Sequence, residues 1–239
     1  MNDPLTNFDW ASLYKLYDAR CAGFDHQSEH LVRFTQNRPE SDRLLYYQLI
    51  EYYSLENRTN DSDPVSLYKA MLYWKLYSQR TTDYMFSTKW ASGDGFERAQ
   101  TELPRLLKSL PTTLDRNVEA VISAVKALGE FKLPGMGNGT IPVRTTFLHF
   151  LFPSSVPIVD IMVLRAVGEG KSHRTNKKCE KINEKVLSEY LPIVWSLTDK
   201  HAFKATDGHS ETPLRLIDMA LWITRGSKGK LTRSKSGTV

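Results

Sequence analysis

Apolar residues along most of the chain recur every three to four positions, which is the spacing of one face of an α-helix. The strict alternation typical of a half-buried strand does not occur over any long stretch. The pattern predicts helices over 9–20, 97–108, 178–190 and 213–225, and three more that follow the candidate N-cap residues Asp42, Ser62 and Asp115. We therefore predict an all-α protein.

The one stretch that resembles a strand runs from Val156 to Val163 and is rich in β-branched residues. A single strand without partners cannot form a sheet. We therefore predict that this segment approaches in an extended conformation and then opens a helix.

A glycine-rich turn, Leu133-Pro134-Gly135-Met136-Gly137, follows the predicted helix 115–131. Its glycines allow positive φ and a close approach to a ligand. A second helix follows, with Thr140 as a candidate cap and Pro142 suited to its first turn. Amides at the N-terminus of a helix form an anion site that suits a DNA phosphate. A turn that serves only to connect two helices could have the same sequence.

Asp160 ends the apolar segment and stands at the start of the next predicted helix. A carboxylate in this position is either an N-cap or a group with a chemical role. The residue alone does not decide between the two.

Taken together, the hairpin and the segment Val156-Pro157-Ile158-Val159-Asp160 resemble the helix-hairpin-helix (HhH-GPD) DNA glycosylase superfamily. The resemblance is strong over 115–168 and weaker over 70–90 and 212–226. It implies an enzyme that acts on double-stranded DNA with a flipped base, and it makes Asp160 the catalytic carboxylate. It also implies a two-lobed helical fold, with one lobe over 63–159 and the other built from 1–62 and 160–226.

Within that superfamily, the archaeal 8-oxoguanine DNA glycosylase branch is the most similar. The resemblance implies a base pocket lined by Asp218, Trp222 and Tyr84, and a wedge formed by Gln79 and Arg80. For the pocket and wedge residues, core packing or a plain helix end is the competing interpretation. The phosphate-binding residues that we expect are Gly135, Gly137, Asn138 and Gly139 of the hairpin, and Lys171, Arg174 and Lys178 of a basic segment.

Charge is distributed unevenly along the chain. Residues 1–120 carry 14 basic and 17 acidic side chains, a net −3, whereas residues 121–239 carry 18 and 10, a net +8. The positive half contains both the hairpin and Asp160, which favours a polyanionic partner. Residues 227–239 are basic and poor in apolar residues, and we expect them to be a disordered tail.

The two cysteines, Cys21 and Cys179, form no CxxC pair, so the sequence excludes an iron–sulfur cluster and a four-cysteine zinc site. We expect no cofactor apart from a structural monovalent cation that the hairpin could hold.

Superfamily members that also nick the strand carry a lysine two positions after the second hairpin glycine, where this chain has Gly139. We therefore expect a monofunctional glycosylase that leaves an abasic site. Two alternatives remain: a non-catalytic DNA-binding module, and a bifunctional glycosylase and AP lyase that uses another amine.

No apolar run reaches the length of about 18 residues that a membrane span needs. The first residues also lack the layout of a signal peptide. We expect a cytoplasmic monomer that is associated with the nucleoid if the source is prokaryotic. Base-excision repair and defence against the modified bases of invading DNA are both compatible with the sequence.

Neutralising Lys171, Arg174 and Lys178 together should weaken DNA binding without changing the choice of base. Each lost phosphate contact lowers the slope of log K against log salt by about 0.9, so the triple variant should lose about 2 to 3 units of slope. Titration of a labelled duplex at several salt concentrations measures this slope. A slope equal to that of the wild type would contradict the assignment.

Overall fold

The computed structural model describes residues 3–22, 42–54, 63–76, 82–90, 95–137, 141–167, 184–201 and 211–224. Every regular element in these ranges is helical, which confirms the all-α prediction. The α-helices are α1 Leu13–Cys21, α2 Asp42–Tyr52, α3 Pro64–Leu76, α4 Gly95–Ser109, α5 Val118–Ala127, α6 Ile141–Leu151, α7 Ile161–Val167, α8 Glu184–His201 and α9 Pro213–Thr224. Shorter helical turns cover Trp10–Ser12, Thr82–Tyr84, Met85–Lys89 and Leu128–Glu130.

The helices surround one cluster of buried apolar side chains. Helix α9 packs against α1, α7 and α8, while α3 packs against α2, α4 and α6. Helix α5 lies between α6 and α8 and so connects the two groups. The division into lobes over 63–159 and 1–62 plus 160–226 remains a prediction. In the described part of the chain, no helix is both long enough and apolar enough to cross a membrane.

The helix starts differ from the predicted caps in two places. Helix α5 is capped by Asn117, whose side chain accepts from the Ala120 amide at 2.9 Å, so the prediction of Asp115 is wrong. The cap must directly precede the helix, and Asp115 lies too early in the chain. Asp42 is the first residue of α2, and its carboxylate is instead bonded to Tyr17.

Ser62 lies outside the described residues, and the observed bond to the start of α3 comes from Asp63, which accepts from the Ser66 amide at 3.1 Å. Helix α8 also continues well past residue 190, where the prediction ended. Its buried face extends through Leu191, Val194 and Leu197, and this packing tolerates Pro192 inside the helix.

Residues 156–160 form neither a helix nor a strand and lead directly into α7, so the helix after this segment begins where the sequence predicted. Side chains from α6 and α8 hold this segment. The Thr145 hydroxyl accepts from the Val159 amide at 3.2 Å, and the Tyr190 hydroxyl donates to the Ile158 carbonyl at 3.2 Å. These bonds satisfy the Val159 amide and the Ile158 carbonyl, which lie outside any helix or sheet.

His149 of α6 anchors the beginning of the same segment from the core. Its Nδ1 is 2.6 Å from the Val156 carbonyl, which can only accept, so Nδ1 carries the proton. Nε2 then accepts from the Tyr46 hydroxyl at 2.7 Å. The ring is fully buried, and burial lowers the pKa of His149 to about 3. The imidazole is therefore neutral in the folded protein at pH 7.

Acidification should destabilise the wild type more than a His149→Gln variant. Between the unfolded pKa of about 6.5 and the folded pKa of about 3, only the unfolded state binds the proton, so stability falls as the pH falls through this window. The wild type should lose about 2 kcal/mol relative to the variant between pH 6.5 and pH 5. Urea unfolding of both proteins at several pH values measures this difference. Parallel pH profiles would contradict the account.

Candidate active site

The hairpin is a tight turn that begins after α5 and its helical extension. The Met136 amide donates to the Leu133 carbonyl at 3.0 Å and closes the turn. Gly135 has φ +78°, a conformation that side chains disfavour. The Pro134 carbonyl accepts from the buried Tyr68 hydroxyl of α3 at 2.6 Å. The turn is therefore fixed both by its own backbone and by a neighbouring helix.

The two hairpin glycines serve different purposes. A Cβ on Gly135 would lie 3.1 Å from Leu72 and 3.3 Å from Val143, so the backbone packs closely there. A Cβ on Gly137 would meet no atom of the described residues within 4 Å. Gly135 is required by the fold, whereas Gly137 borders open space that a ligand can approach.

Arg144 of α6 reaches back and holds the other side of the turn. Its guanidinium donates to the Met136 carbonyl at 2.8 and 3.1 Å, to the Gly137 carbonyl at 3.1 Å and to the Val125 carbonyl at 3.2 Å. Its atoms also lie where a side chain at Gly129 would be. The sequence suggested no such role for Arg144.

These bonds bear on the cation that was expected at the hairpin. A cation would bind carbonyl oxygens, but the positively charged guanidinium of Arg144 already lies against those of Met136 and Gly137. Those two oxygens therefore do not fit a free cation. The described residues also contain no group of three or more His, Cys, Asp or Glu side chains that could hold a metal ion.

Asp160 lies at the start of α7 and uses its two oxygens differently. Oδ1 accepts from the amides of Met162 at 2.7 Å and Val163 at 3.0 Å, so the residue is an N-cap. Oδ2 lies 3.5 Å from Nζ of Lys75, and the side chain is 26% exposed. The cap therefore accounts for one oxygen, and the second is paired with Lys75.

The surroundings of Asp160 keep it ionised. Burial alone would raise its pKa, but the charge of Lys75 and the two capping amides outweigh burial and hold the pKa below its usual value. The carboxylate therefore carries a negative charge at neutral pH.

One face of helix α3 contacts both the hairpin and Asp160. Tyr68 bonds to Pro134, Leu72 packs on Gly135, and Lys75 pairs with Asp160. Positions separated by four and by seven residues lie on the same face of a helix. Tyr68, which contacts Pro134, and Lys75, which contacts Asp160, are therefore about 10 Å apart along the helix axis, at 1.5 Å per residue.

Asp218 is buried in α9 and is paired with Arg215, whose guanidinium also donates to Tyr17 at 2.5 Å and to Asp42 at 3.2 Å. The guanidinium lies 5.2 Å from the centre of the Trp74 ring and 4.6 Å from that of Tyr46. The sequence alone does not predict this buried cluster, because its members come from four helices.

Asp218 also interacts with the Asp160 site through its charge. The pKa of Asp218 is raised to about 6, chiefly by burial. The positive charges of Arg215 and Lys75 act to lower this pKa, and the negative charge of Asp160 acts to raise it. The structure therefore brings Asp160, Lys75 and Asp218 within electrostatic range of one another.

The remaining predicted site residues are placed as follows. Trp222 is half-buried, its ring 5.4 Å from that of Tyr17, with the Arg20 guanidinium 5.1 Å from its centre. Tyr84 is 60% exposed. Gln79, Arg80, Asn138, Gly139, Lys171, Arg174 and Lys178 lie outside the described residues. The roles expected for all of these residues stay predictions.

Comparison with known proteins identifies no relative. No family model, curated protein or solved structure matches the chain.

Replacing each hairpin glycine by alanine should separate their roles. Gly135→Ala should lower the free energy of unfolding by about 2 kcal/mol, because positive φ is strained and the Cβ presses on Leu72 and Val143. Gly137→Ala should change it by less than about 0.5 kcal/mol, since its Cβ enters open space. Urea unfolding of both variants measures the difference. Equal destabilisation would contradict the distinction.

Proposed function

We propose that the protein is a DNA N-glycosylase, which flips a damaged or modified base out of the duplex and hydrolyses its N-glycosidic bond. The observation that carries the proposal is that one face of α3 holds both the glycine hairpin and an ionised carboxylate. A hairpin that binds a backbone phosphate would place the neighbouring sugar near that carboxylate.

The hairpin suits a phosphate for physical reasons. The absence of a side chain at Gly137 leaves space beside the backbone, and helix α6 begins at Ile141, shortly after the turn. Amides at the N-terminus of a helix point towards the approaching chain and favour a negative charge. Contacts of this type set the register on DNA without reading its sequence.

Asp160 supplies the chemistry. Cleavage of a glycosidic bond develops positive charge on the sugar, and a fixed carboxylate stabilises that charge and orients the attacking water. Oδ1 is held by two amides, so the carboxylate cannot rotate freely, while Oδ2 remains directed at Lys75. The target base must first leave the stack, because the glycosidic carbon is not accessible inside a duplex.

The cluster behind Asp160 would form the wall of the base pocket. Asp218 and Trp222 are four residues apart on α9 and therefore lie on one side of the helix. Asp218 is held by Arg215, and Trp222 packs on Tyr17. In this proposal Asp218 bonds to an edge of the flipped base. Two classes of substrate remain to be compared: oxidised or alkylated bases, and the modified bases of invading DNA.

Asp160→Asn should slow base release strongly and leave the fold intact. Asparagine caps helices as well as aspartate does, so the bonds to Met162 and Val163 should remain, while the charge that stabilises the sugar is lost. We expect the rate to fall by about 10²- to 10³-fold. Mass spectrometry of bases released from damaged DNA and from heavily modified viral DNA measures the activity and identifies the substrate.

Asp199→Asn provides the matched control, because Asp199 is an exposed carboxylate paired with Arg116. It should release bases at the wild-type rate. If Asp160→Asn is as active as the wild type, Asp160 is not catalytic. If the wild type binds DNA and releases no base, the chain is a DNA-binding module without this activity.

A further inference from the structure

Lys75 is a mostly buried lysine directly beside the proposed catalytic carboxylate. Its side chain is 10% exposed, and its Nζ lies 3.5 Å from Oδ2 of Asp160. Lysine is seldom buried unless its charge has a partner or its amine has a task. Here the partner is the group that we place at the sugar.

The geometry of the pair leaves both groups able to react. A distance of 3.5 Å is longer than the 2.7 to 2.9 Å typical of a charge-assisted hydrogen bond. Oδ1 of Asp160 is committed to the amides of α7, so Oδ2 is the oxygen that faces both Lys75 and the sugar. A sugar carbon bound between Oδ2 and Nζ would therefore be within reach of both groups.

We propose that Lys75 is the amine of a second activity, cleavage of the DNA strand at the abasic site, with the sugar placed at Asp160 as in the proposed function. The expectation of a monofunctional enzyme rested on Gly139, the position after the hairpin where a lysine is missing. Lys75 reaches the same carboxylate from α3, a separate part of the chain.

The chemistry balances without any further reactant. Base release leaves a sugar whose C1′ opens to an aldehyde. The Lys75 ammonium loses two protons, which leave with the aldehyde oxygen as water, and a C1′–Nζ bond forms as a protonated imine. Oδ2 of Asp160 then takes a proton from C2′, a C2′–C3′ double bond forms, and the C3′–O bond breaks. The 3′ phosphate departs with the electron pair, and water later hydrolyses the imine and frees Lys75.

The test uses a duplex with one preformed abasic site, so it does not depend on knowing which base is excised. The full-length wild type should nick this duplex, and sodium borohydride should trap a covalent protein–DNA adduct. Lys75→Arg keeps the positive charge beside Asp160 but cannot form the imine. It should lose nicking and the adduct to background while binding the abasic duplex with a Kd within a few-fold of the wild type.

Lys69→Arg is the matched control, because Lys69 lies on the same helix with its Nζ 4.7 Å from the centre of the Phe96 ring. It should nick and be trapped like the wild type. A second measurement needs no variant: after reduction and digestion, peptide mass spectrometry should locate the sugar remnant on Lys75.

The inference is overturned if the wild type forms no adduct, if Lys75→Arg is still trapped, or if the remnant is found on another residue. These outcomes are separate from failure of the proposed function. That failure would appear as no base release from any modified duplex, whatever happens at the preformed abasic site.

Discussion

The arrangement of the site depends on one face of helix α3. Tyr68, Leu72 and Lys75 lie along this face and contact the hairpin at one end and Asp160 at the other. Because a helix is rigid, these contacts set the spacing between the phosphate-binding turn and the carboxylate. The segment before Asp160 is held in place by hydrogen bonds to the side chains of Thr145, Tyr190 and His149.

A buried cluster of charges contacts the same helix at Trp74. Arg215 is 3% exposed and faces the carboxylates of Asp42 and Asp218, which are 2% and 6% exposed. Removing one member of such a cluster leaves a buried charge uncompensated, which costs about 3 to 5 kcal/mol. The Arg215 guanidinium also packs on the ring of Trp74, the neighbour of Lys75 in the chain. The cluster therefore ties α1, α2 and α9 to the helix that carries the amine.

Features encoded within a short stretch of sequence were predictable. The helical periodicity, the glycine turn and the helix that begins after Asp160 depend on neighbouring residues, and the structure shows each of them. The contacts that complete the site join distant residues. Lys75 and Asp160 are 85 positions apart, and Arg215 meets Asp42 from 173 positions away. Periodicity marks which face of a helix is buried, but not which partner it meets. Arg144 was also missed, because a basic residue on a helix gives no local sign that it binds backbone carbonyls.

A crystal structure of the protein bound to a duplex with a stable abasic-site analogue would test the central claim most directly, because it locates the phosphate and the sugar together. The account predicts a backbone phosphate on the amides that follow Met136, and the C1′ position about 3.5 Å from both Oδ2 of Asp160 and Nζ of Lys75. A duplex bound away from the hairpin, or a sugar out of reach of Asp160, would contradict it.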